Sequence, residues 1–170
     1  MCSLGFWRCV VKYIHKYWWR DRRRMGSLPY NNSYKDKGHE CKYLLVSCMD
    51  FRFHKYLVQS LELLLGEEHP SFDFRGVVGG SRAVLDILAR RQLIKSIKLA
   101  INKHGISNLI LADHADCGAY GGSSKFSNSN KEMEFHFAQL KAAKKILKRF
   151  FPDLRIILLY QDWEEFRILE

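Results

Sequence analysis

The sequence lacks the long hydrophobic runs that mark a membrane-spanning protein. No apolar stretch approaches the roughly 20 residues that a transmembrane helix needs, so we expect the body of the protein to be soluble. The chain also lacks the length for two ordinary domains, although 170 residues that are 47% hydrophobic suffice for one domain with a substantial core. Its five cysteines, an odd number, are not typical of a disulfide framework, and a reducing cytosol is therefore the expected compartment.

Acidic residues are scarce at the N-terminus, and this scarcity accounts for most of the net charge of +10. Residues 1–24 hold seven Lys or Arg against one Asp, whereas the remaining 146 residues hold 21 basic and 17 acidic side chains. A nucleic-acid-binding protein would normally spread its positive charge over the folded body. We therefore do not expect nucleic acid as a partner.

Residues 6–20 predict a short, basic amphipathic helix. Its apolar side chains recur at helical spacing: Trp7, Val10, Val11, Ile14 and Trp18. Residues 1–40 are interpreted as this arm and a linker, and the arm is expected to pack on the domain at 41–170 or on a second subunit. A targeting or membrane-surface role stays open as the alternative, because the first 20 residues contain no acid.

Short apolar runs alternate with helical patterns along the rest of the chain. The runs predict four buried strands, at residues 43–47, 72–78, 109–112 and 155–160. The periodicity predicts helices between them, at residues 57–65, 81–103 and from about 131 to Pro152. Such alternation indicates a single α/β domain with a mainly parallel sheet of about four or five strands, flanked by helices.

The helices carry specific expectations about which side chains face the core. The second helix should run unbroken to a stop at Gly105, with its inward face formed by Val84, Ile87, Leu88, Ile94, Ile97 and Ile101. The third should bury one face formed by Leu140, Ala143, Leu147 and Phe150. Residues 121–130 are predicted to form a flexible loop, and Gly79-Gly80 marks a sharp turn or a close approach to another group.

Two of the predicted strands end in potential metal ligands. Cys48 follows the first strand, and His114 and Cys117 follow the third. Because functional groups gather beyond the carboxyl ends of strands in an open parallel sheet, these three side chains can converge on one ion. Two thiolates and an imidazole suit zinc, and three protein ligands leave one position for water.

Asp50 and Arg52 lie two residues apart after the first strand, so their side chains can point the same way and pair. The pair could be a salt bridge that orders the loop. Beside an open metal position, Asp50 could instead be a fourth ligand, or it could accept a hydrogen bond from zinc-bound water while Arg52 holds it off the metal. Asp116 could support a ligand or cap a turn.

These residues resemble the β-class carbonic anhydrases, whose paired motifs are Cys-x-Asp-x-Arg and His-x-x-Cys. The chain has Cys-Met-Asp-Phe-Arg at 48–52 and His-Ala-Asp-Cys at 114–117. The resemblance covers about residues 41–165. More narrowly, the chain resembles a divergent branch described as putative carbonic anhydrases. This resemblance also includes Val-Gly-Gly at 78–80 and Phe-Pro-Asp-Leu at 151–154.

The resemblance implies a set of roles and also shows two departures. Cys48, His114 and Cys117 would bind zinc, and Asp50 and Arg52 would form the catalytic dyad. The usual serine between the members of the dyad is replaced by phenylalanine, and Gly-Val-Val-Gly at 76–79 replaces the Arg-Asn-Ala-Gly that lines the pocket in typical members. A homodimer or higher homo-oligomer is expected to complete the pocket.

The implied activity is the zinc-dependent, reversible hydration of carbon dioxide to bicarbonate by a metal-bound hydroxide, with the Asp50–Arg52 dyad gating the fourth zinc position. Val77 and Val78 could form an apolar wall for a small neutral substrate. His54 is the candidate proton carrier, with a surface histidine at a helix start as the alternative. Two other functions stay open: hydrolysis of carbonyl sulfide or carbon disulfide, and a non-catalytic dimerisation module stabilised by zinc.

Overall fold

The computed structural model describes residues 38–67 and 70–169. The predicted basic helix at 6–20 and most of the linker that follows it lie outside the described residues, so both stay predictions. Within the described part of the chain, no helix combines the length and the apolar character needed to cross a membrane.

Five strands form one sheet in the order β2-β1-β3-β4-β5. They are β1 (Tyr43–Cys48), β2 (Phe72–Val77), β3 (Asn108–His114), β4 (Arg155–Gln161) and β5 (Phe166–Leu169). The first four are parallel, and β5 pairs antiparallel with β4. The predicted mainly parallel sheet is therefore confirmed. The strand β5 had no individual prediction, since its four residues are too few to show a periodicity.

Four α-helices cover the two faces of the sheet. They are α1 (Phe51–Leu65), α2 (Arg82–Leu85), α3 (Ile87–His104) and α4 (Ser129–Phe150). On one face, Leu57 and Leu61 of α1 pack against buried strand residues such as Ile110. The helices α2, α3 and α4 pack on the opposite face, in the larger core. Parallel neighbouring strands require crossover connections of this kind, which are usually helical.

The prediction of one unbroken helix over 81–103 was wrong, because Asp86 interrupts it. Asp86 has extended dihedral angles, ends α2, and accepts a hydrogen bond from the Ala89 N–H at the start of α3. An aspartate that caps a helix in this way satisfies an amide that would otherwise lack a partner. The interruption turns Ile87 and Leu88 outward, with exposed fractions of 73% and 81%, so their predicted inward orientation was also wrong.

The helix α4 begins two residues before its predicted start at about residue 131. Asn128 accepts a hydrogen bond from the Lys131 N–H and caps the helix, which starts at Ser129. At its other end, Phe150 is 48% exposed although the prediction placed it on the buried face. Phe151 is buried instead, since the chain leaves the helix between these two residues.

The order of the strands creates a crevice at the ends of β1 and β3. These strands are neighbours in the middle of the sheet, yet β1 leads to the edge strand β2 through α1, and β3 leads in the other direction to β4 through α4. Their carboxyl ends therefore diverge onto opposite faces. Open α/β sheets bind their ligands at such a point.

Candidate metal centre

Cys48, His114 and Cys117 meet in this crevice. One ligand atom from each lies within 4.8 Å of the others, and the two sulfur atoms are 3.9 Å apart. Cys48 and His114 are the last residues of β1 and β3, and Cys117 precedes a 3-10 turn that starts at Gly118. Among the described residues, no other group of three histidine, cysteine or acidic side chains is gathered in this way.

The His114 ring is oriented as a metal ligand requires. Its Nδ1 lies 2.6 Å from the Ala115 carbonyl oxygen, which can only accept, so Nδ1 carries the proton and Nε2 keeps its lone pair. Nε2 is buried and has no hydrogen-bond partner among the described residues. A buried acceptor without a partner costs about 1–3 kcal/mol. A metal ion at Nε2 would remove this cost, and the ligand set suits zinc.

The two thiols differ in acidity because they share one proton. The hydrogen bond from Cys117 lowers the pKa of Cys48 to about 3, although burial opposes this. The same hydrogen bond and burial raise the pKa of Cys117. A divalent cation would replace that shared proton, since thiolates are the form that binds metal.

Asp50 lies next to this cluster but belongs to a separate ion pair with Arg52. The Arg52 guanidinium reaches both carboxylate oxygens, with Nη2–Oδ2 at 2.6 Å and Nε–Oδ1 at 3.0 Å. Oδ1 also accepts the Arg52 backbone N–H and so caps α1. The Arg52 hydrogen bond lowers the pKa of Asp50 to about 2, although burial opposes this. The carboxylate is therefore ionised and directed to Arg52.

Arg52 also joins the two sequence motifs. Its Nη1 donates to Asp116 Oδ2 at 2.8 Å, and its Nη2 donates to the Asp116 carbonyl oxygen at 3.1 Å. Asp116 has a φ of +52°, and its Oδ1 accepts the Ser123 N–H. The hydrogen bond from the Ser123 N–H and, to a smaller extent, that from Arg52 lower the pKa of Asp116. Asp116 therefore supports the dyad and caps a turn.

A buried polar network behind the cluster had only an indirect sequence signal. Asp113 accepts hydrogen bonds from Ser81 N at 2.7 Å and Ser81 Oγ at 2.5 Å, and lies 3.1 Å from His136 Nδ1. A Cβ at Gly80 would lie 2.3 Å from Asp113 Oδ1. The prediction of a close approach at this glycine pair thus matches the structure, whereas nothing in the sequence identified its partner.

Two further side chains near the dyad were missed. The Trp163 ring lies 5.3 Å from the Arg52 guanidinium carbon and 4.8 Å from the Phe53 ring, in a loop without any recognisable motif. Glu132 is buried at the start of α4 and contacts the second motif. His54 lies in the first turn of α1, with its ring edge-on to Phe74, and its proton-carrying role stays a prediction.

Comparison with known proteins links most of the chain to one family. Residues 38–168 match the family described as "Putative carbonic anhydrase". An uncharacterised protein of Rickettsia bellii is 32% identical over 127 residues, which cover 69% of this chain and 74% of that protein. An uncharacterised protein of Rickettsia conorii is 26% identical over 140 residues, which cover 79% of this chain and 74% of that protein.

Two solved structures share the fold. The β-carbonic anhydrase CafA of Aspergillus fumigatus has a TM-score of 0.55 at 14% identity, covering 98% of this chain and 91% of its own. One of two tetrameric β-carbonic anhydrases of Sordaria macrospora has a TM-score of 0.53 at 13% identity, covering 98% of both chains. At these identities the likeness concerns the fold alone.

Proposed function

The chain belongs to the putative carbonic anhydrase family, and we propose that it catalyses the reversible hydration of carbon dioxide to bicarbonate with a zinc ion held by Cys48, His114 and Cys117. The observation that carries this proposal is the arrangement of the cluster beside the dyad. Three candidate ligands converge, and a nearby carboxylate that could complete the shell, Asp50, is bound through both oxygens by Arg52. This leaves a coordination position for a reactant.

Zinc would supply a water molecule whose pKa is lowered to about 7, so that hydroxide is available at neutral pH. The residues around it would orient the reaction. Asp50, ionised and held by Arg52, can accept a hydrogen bond from a hydroxyl group beside the cluster and so direct its lone pair towards the substrate. The ion pair with Arg52 also keeps Asp50 from binding the metal itself.

The surroundings of the cluster suit a small neutral substrate. Val77 pairs with Cys48 across β1 and β2, and Val78 follows it with 62% of its surface exposed. Met49 and Phe51 flank Asp50 and are 62% and 83% exposed. Apolar side chains of this kind do not compete with carbon dioxide for the zinc.

The same exposed residues support a homo-oligomer. Phe51 and Val78 lie at the carboxyl ends of β1 and β2, where a second subunit could cover them, and exposed apolar surface of this kind is typical of interfaces. One of the structural neighbours is described as tetrameric. We propose at least a dimer, which light scattering on the purified chain would detect. Because the site needs thiolates, we also propose a reducing compartment such as the cytosol.

The test is stopped-flow carbon dioxide hydration by the zinc-loaded protein, with zinc content measured on the same samples. Cys48→Ser should abolish the zinc-dependent rate. Cys41→Ser is the matched control, since Cys41 is not part of the cluster and its Sγ donates to the carbonyl oxygens of Tyr43 and Ser71. Equal rates for the native protein and Cys48→Ser would contradict the proposal.

Two further results would assign the site differently. Faster turnover of carbonyl sulfide or carbon disulfide than of carbon dioxide would indicate a hydrolase that uses the same site. Zinc bound in full, without turnover of any of these gases, would indicate a structural zinc module. The pairing of Asp50 with Arg52 supports the enzyme over the structural zinc module, because a carboxylate held through both oxygens by Arg52 is less available as a permanent zinc ligand.

A further inference from the structure

Glu132 is a buried carboxylate whose hydrogen bonds all go to the segment that carries the second metal-ligand motif. Only 3% of its surface is exposed. Its Oε1 accepts the Asp116 backbone N–H at 2.8 Å, and its Oε2 accepts the Ser123 hydroxyl at 2.7 Å. Among the residues that the structure describes, Glu132 forms no ion pair. Burying a carboxyl group is unfavourable unless it is hydrogen-bonded, so the choice of these particular partners needs a reason.

The reason lies in the backbone of Asp116, between the ligands His114 and Cys117. Its φ of +52° is uncommon for a residue other than glycine and turns its N–H towards α4. Ser123 closes a ring of contacts, because its N–H donates to Asp116 Oδ1 while its hydroxyl donates to Glu132. Glu132 thus holds both ends of the segment 116–123, which begins between the two ligands.

The contacts continue from Asp116 to the catalytic dyad. The Asp116 carbonyl and carboxylate oxygens accept hydrogen bonds from Arg52, which in turn holds Asp50. A shift of the Asp116 backbone would therefore move the zinc ligands and the guanidinium together. Glu132 lies at the start of this chain of contacts, although the structure shows no contact between it and a zinc ligand.

We propose that Glu132 is a positioning residue, which holds the His114–Cys117 segment in its zinc-binding conformation and, through Asp116, keeps Arg52 on Asp50. This inference rests on the proposed zinc enzyme, but its first readout is metal affinity and not turnover. Residues that support metal ligands without binding the metal themselves usually contribute about 10- to 100-fold to metal affinity. We expect Glu132→Ala to weaken zinc binding by about that factor.

The test measures zinc affinity on the full chain by competition with a chromophoric chelator, together with the visible spectrum of the cobalt-substituted protein. Glu132→Gln should retain affinity within about threefold, since its amide oxygen can still accept the Asp116 N–H. Glu134→Ala is the matched control on the same helix, because Glu134 is exposed and pairs only with Lys131 among the described residues. It should bind zinc as the native protein does.

The outcomes separate a positioning role from a merely structural one. Native zinc affinity and an unchanged cobalt spectrum in Glu132→Ala would overturn the proposal, even if that variant unfolded more easily. If Glu132→Ala does not fold, Ser123→Ala provides the test, because it removes one of the two contacts to Glu132. This variant should also bind zinc more weakly than the native protein. Unchanged zinc affinity in Ser123→Ala would then overturn the proposal. Weakened zinc binding in a protein without carbon dioxide activity would refute the proposed function while supporting this inference.

Discussion

The two motifs that form the cluster are shaped in different ways. After β1, the chain passes from Cys48 directly into α1, and Asp50 is at once the cap of that helix and the partner of Arg52. After β3, the chain enters irregular turns, and the conformation of Asp116 depends on contacts from Arg52 and from α4. The first motif is thus held by neighbours in sequence, and the second by residues that are distant in sequence.

Under the proposed function, this difference separates metal binding from catalysis. The second motif holds two of the three candidate ligands, so disturbing it should release the metal. The first holds one candidate ligand and the proposed dyad, so a suitable change there should leave the metal bound and slow the reaction. Four substitutions test this division.

The largest effect is expected at the second motif, from His114→Ala. The variant loses the nitrogen ligand whose Nε2 is buried without a partner, so zinc content should fall from about one ion per chain to nearly none. Elemental analysis of the purified protein measures this. His104→Ala is the control, since that histidine pairs with Asp73 and is not part of the cluster. Equal zinc in both variants would refute the site.

Asp50→Asn should slow hydration by about 100-fold or more while zinc stays bound. Asparagine can still cap α1, since it caps helices as well as aspartate does, but the neutral amide loses the charged pairing with Arg52. Stopped-flow rates and zinc content measured together check this. Asp86→Asn is the matched control, because Asp86 caps α3 in the same way. Loss of zinc in Asp50→Asn would show that a change in the first motif cannot slow the reaction without also releasing the metal.

Gly80→Ala tests the turn after β2, which lies against the strand that leads into the second motif. Its Cβ would lie 2.3 Å from Asp113 Oδ1 and 2.4 Å from the Ala112 carbonyl oxygen. We expect the free energy of unfolding to fall by about 3 kcal/mol in chemical denaturation. At Gly105 φ is also positive, but an added Cβ would meet no atom within 4 Å. Gly105→Ala should therefore lower the free energy of unfolding by only about 1 kcal/mol. Similar losses of unfolding free energy in the two variants would mean that the close approach of Gly80 to Asp113 does not affect stability.

Trp163→Ala should have the smallest effect. The indole lies over the Arg52 guanidinium, and an exposed cation–π contact contributes about 0.5–1 kcal/mol. The hydration rate should therefore fall about two- to fivefold, with zinc content unchanged, and Trp163→Phe should recover most of the loss. A loss as large as that of Asp50→Asn would place Trp163 in the reaction itself, and no loss would show that Asp50 and Asp116 hold Arg52 unaided.

Much of the fold could be predicted because its signals are local. Apolar runs predicted β1 to β4 to within a few residues, and Gly66 and Gly105 end α1 and α3 in the left-handed conformation. The errors arose where a short-range alternative competes with a periodic pattern. At Asp86, a side-chain cap prevailed over continued helix, and the periodicity of the apolar residues gave no sign of it.

The residue types and spacings alone specified the three candidate ligands and the Asp50–Arg52 pair, since few arrangements of two cysteines, a histidine and an ion pair at strand ends serve another chemistry. They could not reveal that the same guanidinium also contacts Asp116, or that the Asp116 N–H donates to Glu132, 16 residues further along the chain. Hydrogen bonds between distant segments leave no periodic trace in a sequence, so only the folded structure could reveal them.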